Sequence, residues 1–405
     1  MADTPTDPLL RAESSSQRAT FLELFFDLVF VFALTRVSQR LVEDFTAEQR
    51  VLLSEVGQTL VLFLALWLIW SSTAWITSTL EPEAFAVQGA VVVTVIGSMV
   101  VAVALPEGFG RHGLVFVVAY LAVQMGRIGF FLFATHGRAA PADPTGPRRV
   151  LVWFAVSAVP WLVGGLAGES VLRGVLWTLA VGVDYLGLTL GWPVPRMGRA
   201  RYGEQPFAAE HLAERYQQFL LIGLGELILV TGIAFGGDGG EFTPGRTGAL
   251  GLALVSTVLL WRIYFYRAGH VLPTAFIRSR NSAGLGLSAA YTHLVMIAGI
   301  VLTGVGYELS IAHPAEEIVP VWLVALLGGP ALFLAGRSLF EFQVFGRISW
   351  PRVAAVLLLG AVVPLMEILP LLAVAATVVT VLLGVALADL RRARGHAPEQ
   401  PAPPI

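Results

Sequence analysis

Long apolar runs separated by short polar segments dominate this chain. A helix needs about 20 apolar residues to cross a bilayer. Stretches of that kind fall at roughly 21–40, 56–79, 84–105, 112–134, 150–168, 171–191, 211–235, 247–267, 284–306, 318–340, 350–369 and 370–390. The pattern predicts an all-α, polytopic transmembrane helix bundle of about twelve spans. Only Leu369-Pro370 separates the last two, so eleven is the alternative count. The chain then divides into a polar cytoplasmic N-terminus (1–20), a first six-helix half (21–191), a cytoplasmic linker (192–210), a second six-helix half (211–390) and a tail (391–405). The tail ends in RGHAPEQPAPPI, whose Pro-rich composition predicts disorder. The loop HGRAAPADPTGPRR (136–149) reads as a second flexible stretch. The first 20 residues lack the basic, apolar and small-residue series of a signal peptide.

Composition agrees with the pattern and narrows the chemistry. Of 405 residues 56% are hydrophobic and 13% charged, with a mean hydropathy of +0.74. Soluble domains carry about 25% charged residues, so a soluble globular protein is excluded. The net charge of -2 gives no reason to expect nucleic acid. Absence of cysteine removes disulfides, thiolate metal sites and thiol nucleophiles. All 26 basic residues are Arg, which removes Schiff-base and P-loop lysines. With the N-terminus inside, sixteen Arg fall in cytoplasmic segments and six in outer ones (36, 40, 50, 111, 173 and 246). That bias supports twelve spans with both termini cytoplasmic.

Several motifs recur six spans apart in the same order. MGRIGFFLF (125–133) parallels AGRSLFEF (335–342), and WLIWSSTAW (67–75) parallels WRIYFYRAG (261–269). FFDLVFVF (25–32) parallels LGELILVT (224–231), while Pro147 and Pro160 parallel Pro351 and Pro364. An even spacing implies two parallel repeats, a plan known among transporters. Convergent apolar composition is the competing explanation.

Ionisable groups inside spans are costly and mark pathways, relays or ion pairs. Glu23 and Asp27 lie one turn apart on the first span. Arg127 lies at similar depth on the fourth, and Asp184 near the inner side of the sixth. His211, Glu214 and Arg215 share a face of the seventh, with Glu226 at the middle of its apolar run. His293 lies inside the ninth span and Arg337 closes the tenth. Charge balance predicts the pairs Asp27–Arg127 and Glu226 or Glu214 with Arg337. Glu226, flanked by Gly223, Gly225 and Gly232, is the sharpest candidate for proton exchange, with His293 as a relay partner. Pairs that merely fix helix register are the alternative. Spacing for a metal site, a catalytic nucleophile or a cofactor is missing. The Trp residues fall mostly near span ends and read as an aromatic belt, while the dense cluster Trp67, Trp70 and Trp75 reads as core packing, with a hydrophobic pocket as the alternative.

ELFFDLVFVFAL (23–34) resembles the opening signature of the bacterial low temperature requirement protein A family. HLAERYQQFLLIGLGELILVTGIAF (211–235) is similar to its second hallmark, and AYTHLVMIAGIVLTGVGYELSIAHP (290–314) to its third. The second span, WLIWSSTAWITSTL (67–80), departs from the more aromatic, Asn/Arg-bearing end expected there. The resemblance implies a multi-pass protein of the bacterial cytoplasmic membrane, needed for growth in the cold and without an agreed activity. It carries over Glu23, Asp27, His211, Glu214, Arg215, Glu226 and His293.

Three functions fit. A proton-coupled secondary transporter of a small solute uses the repeats and Glu226. A non-transporting protein that senses, scaffolds or stabilises the bilayer uses the same charges as structural pairs. An intramembrane lipid enzyme has acids and a His but no nucleophile or metal set, so no enzymatic activity is expected. The expected partners are the bilayer and a small solute or proton, and no protein partner is indicated. Charges gathered around one cavity favour transport, and separate sealed pairs favour structure.

Overall fold

The computed structural model describes residues 9, 18–46, 52–135, 145–200, 208–237, 241–266, 268–316, 318–394 and 399–404. Among these residues the secondary structure is helical, apart from a single bridge between Val194 and Gly198. The helices are α1 (Phe21–Thr46), α2 (Leu52–Thr77), α3 (Phe85–Ala104), α4 (Gly113–Thr135), α5 (Gly146–Leu166), α6 (Val171–Leu190), α7 (Ala209–Gly237) and α8 (Pro244–Phe265). They continue with α9 (Ala268–Arg278), α10 (Ser282–Ala312), α11 (Pro320–Leu326), α12 (Gly328–Phe345), α13 (Trp350–Ala361), α14 (Val363–Met366) and α15 (Leu371–Ala393). The polytopic helical bundle expected from the hydropathy pattern is present.

Among the described residues ten helical stretches are long and apolar enough to cross a membrane. Two of the twelve expected spans are not among them. Helix α1 is long but carries Glu23, Asp27, Arg36, Arg40, Glu43 and Asp44. The 350–369 stretch is interrupted: α13 has only 12 residues, and α14 follows as a separate four-residue turn containing Pro364. Proline supplies no N–H and crowds the carbonyl four residues back, so a continuous helix stops there. Pro330 likewise accompanies the break between α11 and α12, which together form one span, Pro320–Phe345. Gly346, at φ +65°, closes α12 in the left-handed conformation that glycine adopts freely. Helix α9 was not expected. It is too short to span and buries Leu272, Ala275 and Phe276 on one side, the i, i+3, i+4 pattern of an amphipathic helix.

The chain forms two compact units. One comprises Met1–Val37, Leu53–Arg215 and Arg280–Leu287, and the other Ser38–Leu52, Tyr216–Ser279 and Ser288–Ile405. Helices α1, α7 and α10 each contribute to both units. In the first unit α3, α4, α5 and α6 pack in sequence. Their core is aromatic: Phe116, Tyr120, Trp161 and Trp177 are fully buried, with the Trp161 and Trp177 rings 5.3 Å apart. Trp67 and Trp70 are buried as well, as core packing of that cluster implies, while Trp161 and Trp177 lie in the core and not in an interfacial belt. Large aromatics bring the largest packing area per side chain.

In the second unit α8 packs on α9 and α15, and α12 on α9, α11 and α13. Close approach of α10 to α11 needs Gly306, where a Cβ would stand 2.7 Å from Leu326 Cα. Such small-residue contacts bring backbones together in membrane bundles. The expected disordered tail begins partly outside the described residues, at 395–398. Beyond it, Glu399 grips Arg347 through two bonds of 2.6 and 2.7 Å. Gln400 accepts from Arg278, and the Ala402 N–H donates to Val344 O. The tail thus lies against the ends of α9 and α12, fixed by bonds its composition did not reveal.

Candidate functional site

The first unit gathers Glu23, Asp27, His211 and Arg215, all at most 2% exposed. Arg215 donates to both oxygens of Asp27 at 2.7 Å, a bidentate pair. Trp70 Nε1 donates to Asp27 Oδ1 at 2.9 Å. His211 Nε2 faces the Glu23 carboxylate at 3.1 Å. The Ser78 hydroxyl donates to Ala74 O, so it accepts at 2.9 Å from His211 Nδ1. Both ring nitrogens thereby point at acceptors, the arrangement of an imidazolium–carboxylate pair. Glu23 Oε2 also receives the Thr20 N–H, and Glu214 receives that of Ala19. Every charge in this cluster has an opposite neighbour.

These contacts correct the expected pairing. Asp27 pairs with Arg215, not with Arg127. Arg127 donates instead to Ile69 O at 3.0 Å, to Thr73 Oγ1 at 2.9 Å and to Gln124 Oε1. Gln124 donates to the Tyr120 hydroxyl, which donates to Asp184 Oδ2 at 3.0 Å, joined there by Trp161 Nε1 at 3.3 Å. Arg127 and Asp184 therefore stand at the two ends of one buried chain of hydrogen bonds.

Glu23–His211 and Asp27–Arg215 are separated by the same number of residues, as is Ser38–Glu226 in the second unit. A constant offset means that α1 and α7 run parallel. Six crossings from α1 through α6 would bring the chain back to that direction.

In the second unit Arg337 also departs from expectation. It donates to Ile263 O at 3.1 Å and Tyr266 O at 3.0 Å, the carbonyls that end α8, and meets Glu341 at 3.6 Å. A guanidinium there complements the negative end of the helix dipole. Ile69 and Ile263 occupy matching places in the WLIW and WRIY motifs, as Arg127 and Arg337 do in the two Gly-Arg motifs. The repeated motifs thus meet in the same pairing within each unit. Beside Arg337, Arg352 joins Glu341 and Asp389 in a buried network.

His293 is enclosed. Its Nδ1 donates to Ala289 O at 2.7 Å, so its Nε2 accepts from the Tyr264 hydroxyl at 2.8 Å. Tyr216 stacks on the ring and Phe340 meets it edge-on. With both nitrogens engaged, His293 has no bond to spare for the expected relay to Glu226.

Glu226 differs from the ion-paired acids, and shares with Asp184 full burial and one unmet carboxyl oxygen. It is fully buried at the middle of the apolar stretch of α7. Ser38 donates to its Oε1 at 2.5 Å, while its Oε2 has no hydrogen-bond partner. Among the described residues no cation lies within ion-pair distance of it. Gly223 lets α7 approach Ile297 of α10, whereas Gly225 and Gly232 face open space. On α10 Gly304 faces Glu226: a Cβ there would stand 3.8 Å from Oε2. Glu308 stands one turn further along α10 from Gly304. The expected span ended at 306 and so excluded Glu308. Its signal was the acid four residues after Gly304 in TGVGYEL. Among the described residues no group of His and acidic side chains could hold a metal ion.

Comparison with known proteins places these residues in context. The chain is similar to an uncharacterized protein, RA0937, of Rhizobium meliloti (strain 1021). The two are 35% identical over 390 residues, which cover 96% of this chain and 92% of the relative. No solved structure matches. The profile of the bacterial low temperature requirement A protein (LtrA) covers residues 18–387, from just before Glu23 into the last turns of α15. This multi-pass membrane protein therefore belongs to the LtrA family.

Proposed function

We propose that the protein is a proton-coupled secondary transporter of a small solute in the bacterial cytoplasmic membrane, with Glu226 as the proton-carrying group. One observation carries this reading: Glu226 is a buried carboxyl with one unmet oxygen and no cation beside it. A charge in so dry a place costs several kcal/mol unless it is paired. The carboxyl is completed only by a proton or an arriving positive charge, which is what a coupling site requires. The parallel course of α1 and α7, and the matching Arg–carbonyl bonds of the two units, support a repeat plan of the transporter kind. The protein on this view is no enzyme, and its working partners are the bilayer, a proton and a solute.

The test is uptake of a panel of small solutes into cells expressing the protein, with and without a pH gradient. Gradient-driven accumulation should be lost in Glu226→Gln. Uptake that is unchanged in that variant overturns the reading. A second reading, a non-transporting protein that supports the membrane in the cold, draws on the first unit, where acids and cations form closed pairs. That reading gains if no solute accumulates and growth in the cold still depends on those pairs.

A further inference from the structure

We propose that Glu308 is the port through which a proton reaches Glu226, so that the two carboxyls act as one relay. This rests on the proton-carrying role of Glu226 and names its route of access.

The geometry separates the two acids by exposure and depth. Glu226 is sealed at the middle of α7, eleven residues before the helix ends at Gly237. Glu308 is partly exposed and only four residues, about 6 Å of helix, from the end of α10 at Ala312. On the orientation expected from the Arg distribution, that end is the outer face. Each acid has a buried Oε2 without a hydrogen-bond partner. Between them stands Gly304, on the same face of α10 as Glu308 because four residues make one turn. Having no side chain of its own, it lets Val230 and the Glu226 carboxyl of α7 come close to α10.

Neighbouring charges are engaged elsewhere. Arg246 of α8 donates to Ala234 O and Phe235 O of α7, and His313 pairs with Glu316 at 3.0 Å. Tyr307 of α10 is bonded to Ser256 of α8, and Ser38 of α1 already donates to Glu226. Among the described residues Glu308 has no ion pair. The pair suits a proton better than a metal ion. A hard cation needs about six oxygen ligands, and this pair offers two unmet carboxyl oxygens.

The step is a proton transfer. Water at the outer face gives a proton to the Glu308 carboxylate. The new O–H bond breaks as the proton passes to Glu226 Oε2, and Glu308 returns to its anion. No electron is exchanged, and the reverse sequence discharges Glu226.

The experiment is infrared spectroscopy of the full-length protein in lipid, following the protonated-carboxyl band after a switch into deuterated buffer. Glu226→Gln should remove the band of the buried carboxyl. Glu308→Gln should keep that band but slow its isotope shift by about a hundredfold, the low end of what a positioned proton-transfer group contributes. Gly304→Ala should also slow the shift while leaving both acids in place, and Glu308→Asp should restore much of the rate. Exchange at the wild-type rate in Glu308→Gln overturns the port. Should that variant not fold, wild-type exchange in Gly304→Ala overturns it instead. A carboxyl spectrum unchanged by Glu226→Gln refutes the role of Glu226 itself, a result distinguishable from failure of the port alone.

Discussion

Removing one partner of the Asp27–Arg215 pair should have unequal consequences depending on which partner is removed. Breaking a buried pair by truncating one side generally costs about 3–5 kcal/mol, because a charge is left without compensation. In Asp27→Asn the guanidinium keeps Glu23, whose Oε1 lies 3.9 Å from Arg215 Nε. At that separation, with an effective dielectric of about 20, the retained attraction is up to about 4 kcal/mol before desolvation is subtracted. The loss should therefore sit near the lower end, about 3 kcal/mol. In Arg215→Gln, Asp27 keeps only the neutral Trp70 donor and stands one turn from Glu23, whose charge only His211 still offsets. That variant belongs at the upper end, about 5 kcal/mol. The double variant removes both charges and should recover part of the loss. Equilibrium unfolding of the purified protein in detergent or bicelles measures all three. Equal costs for the two single variants, or a double variant as unstable as their sum, would refute the claim that Arg215 is shared by Asp27 and Glu23.

The tail contact should respond to pH. Arg347 holds the Glu399 carboxyl below its ordinary range through their hydrogen bonds. The stabilisation is present above the ordinary carboxylate value, near 4.5, and is lost as pH falls through the lower value in the docked tail. Glu399→Gln should remove that dependence and expose the tail to protease about tenfold more at neutral pH, the equivalent of 1.4 kcal/mol. Unchanged digestion kinetics would show that the contact contributes nothing. Gly306→Ala should destabilise the second unit by about 1–3 kcal/mol, because the new methyl meets the backbone of α11. Gly251→Ala, with nothing within 4 Å, should be neutral or slightly stabilising, and a thermal melt of both variants settles the contrast.

The fold class was legible because bilayer thickness sets helix length, and twenty apolar residues in a row leave few alternatives. Depth was legible for the same reason: Glu23, Asp27 and Arg127 were placed near one another along the membrane normal. Lateral order was not, since hydropathy carries no record of which helix stands beside which. Arg127 and Arg215 were therefore interchangeable partners for Asp27 on depth alone. A better signal was available in the matched spacing of the two helix starts, acid–acid at 23 and 27 against base–base at 211 and 215, which zip together only if α1 and α7 run parallel. Glu308 was lost to a boundary. Charged residues lower local hydropathy, so a span that runs past its own acid looks shorter than it is. Helix α9 and the docked tail escaped because neither is apolar enough to register as a span.

The depth of Glu226 also has an electrical consequence. A proton bound at the middle of α7 has crossed part of the membrane field on its way from either face. Moving one full charge across costs or yields about 2.3 kcal/mol per 100 mV, and a charge stopped midway feels a corresponding fraction. The guanidinium groups of the bundle are permanently charged and bonded in place, so they set a constant background. Occupancy of Glu226 should therefore follow membrane voltage as well as pH, which would make a single buried carboxyl responsive to both components of the proton-motive force.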